Sequence, residues 1–281
     1  MLRPSSALRT VALVARRVIR EVYPTLLAED SPAPAEIETI SDEQPRTIRS
    51  RVDGALLAFD LKGLVALAET SNCVIELVPQ VGQFIAVGDP LFRIYRGGEQ
   101  LAESSLLNSV VKGSERSADQ DPMFAFRIMV DIAIKALSPA INDPTTAVLA
   151  IDQIHHLLRD IGRRDLAEGH AADGRGRIRL LYRTPDWEDF VQLGTTEIRL
   201  YGSNSIQVQR RLRAMLEDLI DTLPEAMHPL LQKELALLAT ASRRSCPDLD
   251  DQALAESADL QGIGGDDELY EEKTIPMAHH N

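Results

Sequence analysis

Between Lys135 and His156 two apolar stretches meet at a polar break, KALSPAINDPTTAVLAIDQIHH. Pro139 has no N–H to donate and pushes Ser138 out of the helical region, so a helix arriving from Pro122 must stop there. Asp143 then has N-cap character and Pro144 suits the first helical position. Thr145 and Thr146 take the second and third. The chain is obliged to turn between two helices. Pro185 and Pro224 punctuate later stretches in the same way, so the long middle of the chain reads as amphipathic helices joined by proline-marked turns.

Composition supports a helical core. Aromatic residues are 4% of the 281 and hydrophobic residues 44%, so Leu, Ile, Val and Ala must fill the interior. That bias favours helices over a β-sandwich. The β signal is concentrated earlier. Residues 56–70, LLAFDLKGLVALAET, read as a strand or turn leading into a short helix, CVIELV as a buried strand, and GQFIAVGDPLFRI as a hairpin. The Gly-x-Phe-Ile-x-x-Gly-Asp-x-Leu pattern resembles the repeating unit of biotinyl and lipoyl barrel-sandwich domains. A carrier domain needs an exposed Lys in a tight turn, and no Lys lies between Gly63 and Lys112. The expected fold class is therefore α+β: a helical bundle domain over 99–243, preceded by a small β-rich, barrel-sandwich-like module over 50–98.

Charge sets the ends apart. The formal net charge is −13, which argues against nucleic acid as a partner. Residues 1–22 hold five Arg and one Glu in an amphipathic pattern, with Val11, Val14, Val18 and Val22 on one face. Three readings fit such a helix: a surface helix or one that packs on a partner, an interfacial helix on an anionic membrane surface, or an Arg-rich presequence. Residues 23–49 have linker composition, and 244–281 read as an acidic, largely disordered tail with one short helix, DDQALAESADL. The two cysteines, Cys73 and Cys246, fit no metal spacing.

Motifs for chemistry are sparse. Nucleophile elbows, phosphate-binding glycine loops and zinc signatures are absent, so the expectation leans away from an enzyme and includes no cofactor and no metal. One polar pocket is conceivable, at the helix joint. Ser138, Asn142, Asp143, Thr145 and Thr146 would form its floor. Arg127, Asp131 and Lys135, stacked at i, i+4 and i+8, would form its wall. The bland alternative is a capped turn beside one solvated face. Asp152 and His156 can pair at i, i+4, while His155 sits beside Ile151 and Leu158 and packs. Arg175, Arg177 and Arg179 alternate on one face and, with Arg183, suggest a basic patch for an anion or an acidic partner.

Three stretches together are similar to one family: RVDGALLAFDLKGLVALAE, VGQFIAVGDPLFRI and QDPMFAFRIMVDIAIKALSPAINDPTTAVLAIDQI. Asp121-Pro122, Arg127, Asp131, Ala136 to Pro139 and Ile141 to Ala147 carry the resemblance, which spans roughly Arg51 to Arg213. The family is that of bacterial predicted membrane proteins of the domain of unknown function 2254. Ala55 and Ala140 depart from it, where the family has an aromatic and a glycine. The resemblance implies several transmembrane helices followed by a cytosolic region, and it brings no established activity. This chain has no run of 18 apolar residues. Residues 1–22 look like the positive stretch just inside a last membrane helix. The expectation is a truncated relative or a soluble paralogue on the cytoplasmic side, soluble or peripheral to the inner membrane. It would be a regulatory, sensory or assembly module that pairs with itself or with a membrane partner chain. The alternative is a small-ligand binder or enzyme using the joint.

Overall fold

The computed structural model describes residues 4–27, 44–116, 121–166 and 169–264, and the architecture is α+β. The chain divides into two compact units: 17–125 with 164–186, and 1–16 with 126–163 and 187–281. Two helices, α1 (Pro4–Val22) and α4 (Pro122–Ala136), run from one unit into the other.

Among the described residues, eight strands build the β-rich unit. They are β1 (Arg46–Arg49), β2 (Gly54–Phe59), β3 (Val74–Leu77), β4 (Phe84–Ile85), β5 (Pro90–Tyr95), β6 (Val110–Gly113), β7 (His170–Ala172) and β8 (Ile178–Leu181). One sheet has the order β1-β5-β3-β8-β7 and the other β4-β2-β6. All pairs are antiparallel except β3 with β8. Both sheets are open. They share one core in which Leu56 of β2, Ile75 and Leu77 of β3, Ile85 of β4 and Phe92 of β5 are essentially inaccessible. Leu64 and Ala68 of helix α2 (Leu61–Thr70) and Leu106 of the short α3 (Glu103–Leu107) close it. Asp60 caps α2 by accepting from Gly63 N at 2.9 Å, as its place before an apolar helical run predicts.

Two local expectations are corrected. The segment 82–94 is not a hairpin: β4 pairs with β2, whereas β5 pairs with β1 and β3. The turn between them is held by Asp89, which accepts from Ala86 N, and by Gly88 at φ +91°. It redirects the chain from one sheet to the other. The β-rich unit also does not end at 98, since β8 adds to β3 in parallel from about a hundred residues downstream. Parallel pairing across such a distance leaves no local signature.

The helical unit holds α5 (Pro144–Ile161), α6 (Trp187–Tyr201), α7 (Ile206–Thr222), α8 (His228–Ser245) and α9 (Leu249–Ala255), together with most of α4. Helix α7 packs on α5, α8 and α9, and α6 on α5 and α8. Gly194 of α6 allows close packing, since a Cβ there would stand 3.0 Å from Ile154 of α5. Residues 244–264 are folded rather than tail-like. Past α9, the fully buried Asp259 accepts from the backbone N–H of Gln261, Gly262 and Gly264 at 2.6–3.0 Å. The rest of the expected tail, 265–281, lies outside the described residues, as does most of the expected linker.

Helix α1 buries Leu8, Ala12, Ala15, Val18 and Ile19. Val22 is exposed, and Val11 and Val14 are only half-buried. The seam therefore runs along Leu8, Ala12, Ala15 and Ile19 instead of the valine stripe. Small alanines let the helix approach closely, which a pattern search weighted toward large apolar residues passes over.

Candidate functional site

The helix joint is built as its sequence dictates. Asn142 takes a left-handed conformation at φ +48°, and its N–H donates to Ser138 O at 2.8 Å. Asp143 caps α5: Oδ1 accepts from Thr146 N at 3.1 Å and Oδ2 from the Thr146 hydroxyl at 2.6 Å. The Thr146 hydrogen bonds hold the Asp143 carboxyl below the usual carboxylate range. Ser138 Oγ donates back to Lys135 O, and Thr145 is exposed. The wall residues turn elsewhere. The Arg127 guanidinium binds Asp131 on its own helix and Glu197 on α6, with Nη2 3.0 Å from Glu197 Oε2. Lys135 is exposed. The structure thus brings Asp143 and Thr146 together, and Arg127 with Asp131, as two separate groups.

A larger feature lies in the β-rich unit. A cleft of about 740 Å³ is walled by the last turns of α1 with Tyr23 and Pro24, by Leu57 and Phe59 of β2, and by Tyr182 to Pro185 after β8. Asp121 and Pro122, at the start of α4, also line it. Arg164 fixes one wall by donating to Tyr23 O at 2.7 Å, and Asp165 N donates to Thr25 O at 3.0 Å. The rings of Phe59 and Tyr182 sit 5.2 Å apart in a tilted arrangement.

Asp121 is the unusual member. Like Asp143, it precedes a proline and caps its helix through the N–H three residues on, Oδ1 accepting from Phe124 N at 3.1 Å. Here the parallel stops. Thr146 also offers a hydroxyl to its aspartate, and Phe124 has none to offer. Asp121 is 5% exposed, and its Oδ2 has no hydrogen-bond partner. The nearest cation, Arg116, stands with Nε 3.9 Å away and donates instead to Gly82 O. Gly82 at φ +89° makes this crowding possible, because a Cβ there would overlap both the Asp121 carboxylate and the Arg116 guanidinium. Burial pushes the Asp121 carboxyl above its usual range, opposed by the Phe124 N–H, by Arg116 and by the Met123 N–H. Asp121, Arg116 and Gly82 were not among the site residues the sequence suggests. The available signal was the contrast between Asp-Pro-Thr-Thr and Asp-Pro-Met-Phe.

A second polar cluster sits in the helical unit, beside a cleft of about 450 Å³. His155 does not pack among apolar neighbours as expected. Its Nε2 is 2.7 Å from Asp218 Oδ2, and its Nδ1 faces Arg211 Nη2 at 3.4 Å. Those partners select the neutral ring with its proton on Nε2. Asp152 pairs with Arg211 at 2.7 Å rather than with His156. Burial lowers the His155 pKa, with Asp218 opposing and Arg211 and His156 assisting. Within the expected basic patch, Arg177 and Arg179 both donate to the buried Asp173, while Arg175 and Arg183 are exposed. Burial works against ionisation of Asp173, but Arg179 and the N–H groups of Arg177 and Arg175 outweigh it and hold the carboxyl far below its usual range. Among the described residues no group of three His, Cys, Asp or Glu side chains is arranged to hold a metal ion.

Residues 1–218 match the family described as Predicted membrane protein (DUF2254). The chain is 29% identical over 265 residues to an uncharacterized protein of Mycobacterium bovis and to one of Mycobacterium tuberculosis. The match covers 89% of this chain and 48% of each relative, so the chain spans about half the length of the curated relatives it matches. No solved structure matches. No helix of the described residues is long and apolar enough to cross a membrane.

Two outcomes follow from these geometries. Replacing Asp143 by Ala removes a cap and should cost about 1 kcal/mol of stability in denaturant unfolding. Stability should also fall as pH drops below the ordinary histidine value of 6.5, because the unfolded chain then binds protons that half-buried His155, and His156 with arginines nearby, take up less readily. His155→Gln should flatten that slope in thermal melts taken between neutral and mildly acid pH. An unchanged slope would place the dependence elsewhere.

Proposed function

Because the chain belongs to the family of predicted membrane proteins of the domain of unknown function 2254, we propose that it is a ligand-responsive regulatory module acting on the cytoplasmic side of a membrane. The observation that carries this reading is Asp121. A carboxylate oxygen withdrawn from water without a donor costs free energy of about 1–3 kcal/mol or more, and such a cost persists where a site uses it. Asp121 also lines a cleft of about 740 Å³, within the range that small ligands occupy.

The cleft's position suits a sensor. Its walls include the end of α1 and the start of α4, the two helices that pass from one unit to the other. A ligand seated against Val18, Tyr23 and Pro122 would favour whichever placement of these helices binds it better. The β-rich unit then acts as a barrel-sandwich-like scaffold without a carrier lysine, its two sheets sharing a core around which the cleft is built.

Contact with the membrane would be electrostatic. The apolar seam of α1 is already buried, whereas Arg9, Arg17 and Arg20 are exposed. Each basic residue near an anionic surface contributes about 1 kcal/mol. The protein should float with anionic vesicles at low salt and be released at high salt, and charge reversal at Arg9 and Arg20 should weaken flotation. Failure to float at low salt would remove the membrane contact.

The ligand reading is tested by thermal shift with a chemically broad panel of small molecules, including cations, anions and neutral compounds. Ala58 lines the cleft, and Ala58→Trp would fill it. Compounds should raise the melting temperature of the natural protein and not of the folded Ala58→Trp variant. At a hundredfold excess over Kd the stabilisation is about 2.7 kcal/mol. If nothing in the panel binds, or if every shift survives the tryptophan, the cleft is not a ligand site.

A further inference from the structure

We infer that the cleft of the helical unit takes a phosphate monoester, held by Arg9, Arg211 and His156, with its ester body on Leu149 and Leu260. This second site lies within one unit and does not rest on the reading of the cleft beside Asp121.

The first argument is the balance of hydrogen-bonding groups. Arg9, Gln153, His156 and Gln261 line the cleft, and their side chains have no hydrogen-bond partner among the described residues. All four can donate. Arg9, His156 and Gln261 are exposed, so a ligand in the cleft reaches them from solvent. One acid lines the cleft, Asp152, and its Oδ1 already accepts from Arg211 Nε at 2.7 Å. Arg211 Nη2 faces His155 Nδ1 at 3.4 Å, which leaves Nη1 without a hydrogen-bond partner among the described residues. What such a cleft lacks is an acceptor. The second argument is charge. Arg16 of α1, Arg159 of α5 and Arg211 of α7 act on His156 against Asp152 alone. Partial burial and these arginines lower the His156 pKa, and Asp152 opposes them. The other nearby acid, Asp218, is taken by His155 and Arg159. An anion therefore gains charge-assisted bonds, and a cation would meet a surplus of arginine. The third argument is shape. A phosphate monoester has three acceptor oxygens and about −1.5 to −2 charges at neutral pH, so donors from several elements can share it. A carboxylate has fewer oxygens and less charge. The rim suits an ester body, since Leu149 is 38% and Leu260 69% exposed beside the buried Leu8.

Hexyl phosphate and hexanoate differ in headgroup on a similar chain, and calorimetric titration of the full chain compares them. The phosphate should bind about tenfold more tightly. Arg9→Gln gives up no hydrogen bond within the described structure and should weaken the phosphate about tenfold. A bound dianion favours imidazolium, so saturating hexyl phosphate should raise the pH at which the His156 ring titrates in NMR. His155, already engaged by Asp218 and Arg211, should move less. Two sources share this chemistry. Glycerol 3-phosphate that displaces hexyl phosphate would identify a soluble phosphorylated compound. Vesicles of phosphatidic acid that bind better than phosphatidylserine vesicles of equal surface charge, with glycerol 3-phosphate inert, would identify a lipid headgroup. Either result supports the site. Equal affinity for hexanoate, an unmoved His156, binding that Arg9→Gln leaves intact, or no saturable binding by any of these probes would overturn it. So would loss of binding in Ala58→Trp, because the phosphate would then occupy the cleft of the β-rich unit.

Discussion

An aspartate taken out of water must collect donors or give up its charge; in the described structure Asp121, Asp173 and Asp259 face this demand, and Asp143, nearer the surface, collects donors as a helix cap. Asp173 gathers Arg177, Arg179 and two backbone N–H groups and so pins the turn before β8. Asp259 gathers three N–H groups and folds the chain past α9. Asp143 takes both donors of Thr146 and starts α5. Asp121 starts α4 by taking the Phe124 N–H on Oδ1, and its Oδ2 has no hydrogen-bond partner. Three of the four are satisfied by the protein's own groups. The fourth leaves one buried oxygen unmatched on a residue that also lines a cleft, and the functional reading rests on it and not on the helix joint.

The two Asp-Pro helix starts show how little distinguishes a structural cap from a candidate site. Both carboxylates bind the N–H of the third helical residue. At Asp143 that residue is Thr146, whose hydroxyl fills the second lone pair, and the group stays near the surface with its charge stabilised. At Asp121 it is Phe124, and burial raises the cost of the charge. The difference is one hydroxyl. In the low dielectric of a buried site, one donor more or less decides whether an oxygen is at rest or available.

Much of the helical part was legible because its signals are local. The stop at Ser138-Pro139, the cap at Asp143, the acidic first turn of α6 and the short α9 all follow from residues within a few positions of one another. The β-rich unit was legible only in pieces. Val74–Leu77 reads as a buried strand from composition, but its parallel neighbour Ile178–Leu181 lies far downstream, and β4 and β5 look like a hairpin until their partners are known. The polar stripe on α4 was correctly spaced yet misdirected, because spacing along one helix says nothing about Glu197 on another. His155 misled for the same reason: its neighbours on α5 are apolar, but Asp218 and Arg211 reach it from α7. Asp121 was visible as a helix cap and invisible as a site, since burial is a property of the fold.

The central claim is that Asp121 holds a buried carboxylate oxygen without a donor. The most direct measurement is an NMR titration of the Asp121 carboxyl carbon in the full chain. The account predicts a carboxyl that titrates above the usual aspartate range, while Asp143 titrates below it. An Asp121 carboxyl that titrates below the ordinary range would contradict it.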